Sequence, residues 1–156
     1  MIDSLKLLHL VAAIFWMGGM AFMLIALRPA AVALLQPPER LMLMGAVWTR
    51  FFPIVLVSIV ALFTTGTHLY TTLFRTVKVA TGQGAVPLGW NLMLAIGLLM
   101  MAVFAYLYGV AYPKFKRAMA SLNWPLAGQV AAQVHLLMVT NFVAGWLAIA
   151  AVRLVR

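Results

Sequence analysis

"LHLVAAIFWMGGMAFMLIAL", residues 8–27, contains no Asp, Glu, Lys or Arg. A helix rises about 1.5 Å per residue, so a run of this length spans roughly 30 Å, the thickness of a bilayer's hydrocarbon core. Hydrocarbon offers no water to unpaired backbone groups, and an unbroken apolar run of this size therefore reads as a membrane-crossing helix. One residue of the stretch is out of keeping with lipid: His9, a titratable ring placed early in the run.

Three further runs have the same character. With the first near 5–27, they lie near 51–73, 90–112 and 131–152, and none has a charge in its middle. The whole chain of 156 residues is 66% hydrophobic and 8% charged, against about 25% charged in soluble domains. These features predict an all-α fold: one integral membrane four-helix bundle over 1–156, with both termini on one side, here side A. Residues 31–48, broken by Pro37 and Pro38, read as a short amphipathic segment, and 75–89 and 113–125 as connections. The first run is too long for a cleaved signal, so a retained helix is expected.

The net charge of +9 comes from eleven Lys and Arg against Asp3 and Glu39. The cations fall between or at the ends of the apolar runs. They suit anionic headgroups of a lipid bilayer and give no basic face for nucleic acid. Lys6, Arg75, Lys78, Arg153 and Arg156 fall on side A, the other six on side B, a balance that leaves orientation open. Neither carboxylate sits in a crossing, so no buried acid–base pair for hydrolysis can be built. Without cysteine, histidine and methionine are the only soft or borderline metal ligands.

Depth singles out two sets. His9 and His68 both lie roughly 10 Å from the bilayer centre toward side A, on consecutive antiparallel helices. On the first helix Trp16 and Gly19 share the stripe of His9. On the second, Ala61, Thr64 and Thr65 share that of His68. Two imidazoles at one level with small residues between them are what an axial pair for haem b needs. Arg50, five turns before His68, points the same way and could meet a propionate or a headgroup. Toward side B, Met20, Met23, His135 and Met138 form a thioether–imidazole set that would suit Cu(I), although methionine is also an ordinary packing residue.

The first helix, with "LHLVAAIFWMGGMAFMLIALRP" (8–29), resembles that of the CopD-like (copper resistance D) membrane proteins, in which a His precedes a Trp-x-Gly-Gly element. Here these are His9 and Trp16, Gly18 and Gly19. "RFFPIVLVSIVALFTTG" (50–66), with Arg50 before it, resembles their second helix. The layout is also similar to HemJ-type protoporphyrinogen oxidases, which the resemblance associates with haem b. Their third helix often starts Trp-His-x-Lys, where this chain has "GWNLML", with Asn91 and no lysine. The resemblance implies a bacterial inner membrane protein and either haem or copper handling.

Three functions are therefore expected to compete. One is a b-type haem protein or membrane oxidoreductase exchanging electrons with a quinone or other redox partner. Another is copper transport along the Met/His set. The third is a cofactor-free subunit of a homo-oligomer or larger membrane complex, its small-residue faces serving packing only.

Overall fold

The computed structural model describes residues 2–155. Four long helices make up the bundle: α1 Ile2–Leu34, α2 Pro37–Thr81, α3 Leu88–Ala120 and α4 Trp124–Leu154, each long and apolar enough to cross a membrane. The chain is a multi-pass membrane protein with an all-α fold. Its outer surface is itself apolar, with Ile14, Phe15, Ile25, Val57, Val60 and Leu147 all exposed, as lipid requires.

The helices overrun the apolar runs that announce them. Residues 31–48 form no separate amphipathic element: Ala31–Leu34 end α1, and α2 starts at Pro37. Likewise α2 continues through 75–81, and α3 through 113–120. Hydropathy marks where hydrocarbon ends, whereas a helix continues for as long as its backbone bonds are made. At 45 residues, α2 is roughly 68 Å long, about twice the hydrocarbon thickness. Pro53 consequently lies in the interior of α2, so the Thr49 carbonyl loses its usual backbone donor.

Chain breaks carry local signatures. Gln36 caps α2, its backbone N–H donating to the Glu39 carboxylate at 3.1 Å, with Pro37 in the first turn where a missing N–H costs nothing. Gly82 ends α2 in the left-handed region at φ 68°, which a residue without Cβ enters freely. The Asn123 side chain accepts from Leu126 N at 3.1 Å to open α4.

α1 pairs with α2 and α3 with α4, and the two hairpins repeat one packing plan. A single shift carries the buried Trp16, Met20, Met23 and Ala31 of α1 onto the buried Met100, Phe104, Leu107 and Phe115 of α3. Another carries Leu41, Met44, Trp48, Phe52 and Val55 of α2 onto Ala127, Val130, Val134, Met138 and Asn141 of α4. A π-helical turn precedes the proline in both first helices, Met23–Leu27 before Pro29 and Leu107–Ala111 before Pro113, widening the helix where proline cannot donate.

Between the hairpins lies an aromatic core. Phe104 meets Trp16 edge-on at 6.2 Å and Phe52 at 6.0 Å, and Phe115 meets Trp48 at 4.9 Å. Interhelical hydrogen bonds cross-link it: Thr49 to Tyr112 at 2.8 Å, and the buried Asn141 Nδ2 to the Met100 carbonyl at 3.1 Å. Such bonds are worth about 0.6–1.7 kcal/mol in membrane proteins. Asn141→Leu is therefore expected to lower stability by about 1 kcal/mol, read from the midpoint of unfolding in a titration with a denaturing detergent.

Candidate functional site

His9 stands on the second turn of α1, half-buried against α2. Its Nδ1 lies 2.8 Å from Thr65 Oγ1. The Thr65 hydroxyl is also in reach of the Ala61 carbonyl one turn back; its single proton can serve either acceptor, and the contact holds the ring through Nδ1 in either tautomer. Nε2 forms no hydrogen bond among the described residues. Fixing one ring nitrogen through a partner so that the other is presented is how ligating histidines are held.

Gly66 makes that ring position available. A Cβ there would stand 3.2 Å from His9 Cε1, inside ordinary contact distance. His9 opens onto a cavity of about 280 Å³ between all four helices near side A. Its wall is apolar and contains no charged residue. Gly66, Gly97 and Gly145 enter it from three different helices, and Met17, Met93, Met100 and Met101 supply thioethers. Met93 holds on α3 the place that His9 holds on α1 in the repeated plan. Trp16, buried at 4% exposure, forms part of the same wall.

His68 does not join His9. Its side chain is exposed, and the α2 residues on the cavity are Leu62, Phe63, Gly66, Thr67, Leu69 and Tyr70. Of the stripe expected through Ala61, Thr64, Thr65 and His68, Thr65 faces inward to His9 while Thr64 and His68 are exposed. One residue, about 100° of rotation, separates His68 from the inward Leu69. Thr64 needs no interior partner, since it donates to the Val60 carbonyl at 2.9 Å. Arg50 is likewise exposed, its guanidinium donating to the Ala46 carbonyl at 3.0 Å, and it faces away from the side-A cavity. Gly19 serves packing: a Cβ there would overlap the Phe51 ring, while one at Gly18 would meet nothing.

A second cavity, of about 380 Å³, opens near side B between α1, α2 and α4. Met23, His135 and Met138 reach it together with Met44, which the sequence reading had missed. Leu41, Met44 and Trp48 fall on one helical stripe, the signal by which Met44 could have been found. Met20 is not on this cavity; it is buried at 2% exposure in the core. Arg28 and Arg40 line the same space. Among the described residues no group of three or more His, Cys, Asp or Glu is placed to hold a metal ion. No family model, curated protein or solved structure matches this chain.

Proposed function

We propose that the protein is a membrane redox protein that holds a b-type haem in the side-A cavity, with His9 as an axial ligand. The observation that carries this reading is the His9 ring, held through Nδ1 by Thr65 with Nε2 forming no hydrogen bond among the described residues, on an apolar cavity between four helices. Gly97 on that wall has open space beside it, which leaves room for a flat macrocycle. With His68 facing outward, Met93, the counterpart of His9 on α3 and on the same cavity wall, would supply a thioether as the other protein ligand; His/Met ligation raises a haem's potential. Lys6, one turn outward from His9, suits a propionate at the side-A rim.

When bound, the haem would supply one-electron chemistry. The chain's own residues do the rest. His9 would hold the iron, Thr65 positions the imidazole through Nδ1, and Trp16, Leu62 and Phe63 would keep water from the bound group. Exchange with a lipid-soluble quinone fits a cavity that opens between helices, and would suit a quinone-containing membrane such as the bacterial inner membrane.

The copper reading gains Met44 beside Met23, His135 and Met138. Two guanidiniums on the same cavity, however, raise the cost of seating a cation there. The haem reading is tested on protein purified in mild detergent after expression with ample haem. A Soret band with sharp α and β bands on dithionite reduction is expected, at one haem per chain. A colourless protein that also takes up no added haem would sink the reading.

A further inference from the structure

We propose that the side-B cavity is a binding site for one anionic phospholipid, with its phosphodiester between Arg28 and Arg40. Both arginines are half-buried, come from different helices and line one space. Neither has a carboxylate to pair with. Among the described residues the one ion pair is Lys6 with Asp3 at 3.3 Å, and the Glu39 carboxylate is engaged by the Gln36 backbone N–H at 3.1 Å. Two guanidiniums without an ion pair on one cavity beside a low-dielectric wall call for an anion.

Depth and lining identify the anion as a lipid's. Arg28 directly follows the apolar run of α1, at the level where headgroups meet hydrocarbon. On the inner side of the arginines the wall turns apolar, with Met23, Leu24, Met44 and Met138, room for the first carbons of an acyl chain. Val32, 47% exposed, stands at the lipid-facing edge of the same cavity. Trp48 forms part of the wall and is 2% exposed. His135 lines the cavity too and offers an N–H.

The test uses the full chain in phosphatidylcholine nanodiscs containing a minor fraction of phosphatidylglycerol, with lipids retained on the protein counted by native mass spectrometry. One phosphatidylglycerol per chain is expected, enriched about tenfold over its bulk share. The R28Q/R40Q variant should bring that enrichment down to the bulk ratio, and R28K/R40K should keep most of it. Lys114→Gln and Arg117→Gln, on exposed side-B residues away from the cavity, should change nothing. An equal loss in these controls would reduce the effect to diffuse surface charge and overturn the site. Inorganic phosphate displacing the lipid at millimolar concentration would overturn the acyl half of the proposal. Lipid retention unchanged in R28Q/R40Q would likewise overturn the site.

Discussion

His9→Ala is expected to purify as a helical bundle with no haem absorbance, whereas His68→Ala keeps the spectrum in full. The contrast follows from position on α1 and α2. His9 lines the side-A cavity, and His68 is exposed on the outside of α2. Added imidazole should restore a Soret band to His9→Ala, because the small side chain leaves room for the free base, and recovery would separate a missing ligand from a misfolded protein. Thr65→Val keeps the ring's neighbours but removes the hydrogen-bond partner of Nδ1. Loss of such a partner weakens metal binding by about 10–100-fold, so Thr65→Val should release haem more readily and Thr65→Ser should restore retention. Equal loss in His9→Ala and His68→Ala, without rescue, would count against ligation by His9.

The second large effect is on stability. At Gly89, in the first turn of α3, a Cβ would overlap the carbonyl oxygens of Ala151 and Val155 at the end of α4. A flexible side chain in that position could swing aside, but main-chain carbonyls move only if a helix moves. Overpacking of this kind costs about 1–3 kcal/mol, and the rigidity of both partners puts Gly89→Ala at the upper end. Gly18 meets nothing within 4 Å, and alanine is the better helix former by about 0.5–1 kcal/mol. Thermal unfolding in detergent should therefore show Gly89→Ala melting well below the parent and Gly18→Ala at or above it. Two glycines of one composition class would then differ in sign.

Much of this architecture is legible in the residues alone, and the reasons for the remainder are physical. Four charge-free runs announce four crossings because hydrocarbon penalises charge strongly. The ends of the helices are hidden, since hydropathy is silent about backbone bonding beyond the lipid. His9 stands out in the sequence by its surroundings, and the structure adds what no spacing reveals: Thr65 on α2 holds its ring through Nδ1. The inward face of α2 is read rightly at the buried Thr65 and wrongly at Thr64 and His68, because a threonine hydroxyl can satisfy itself on its own helix, as Thr64 does on the Val60 carbonyl at 2.9 Å. Arg28 and Arg40 look like ordinary interfacial cations until the fold brings them to one cavity. The repeated hairpin plan is equally invisible, because matching positions carry different side chains, Trp16 against Met100 and Val55 against Asn141.

That plan makes the chain divisible. Residues 82–87 join two pairs of helices that each close on themselves, and most of this link is exposed. Each half carries its own two crossings and can enter a bilayer as an insertion unit, leaving the aromatic core to be formed by recognition between finished halves. Two genes, one ending and one beginning within the 82–87 link, should therefore yield fragments that co-purify as a native-like bundle, provided Phe52, Phe104 and Phe115 remain to bring them together.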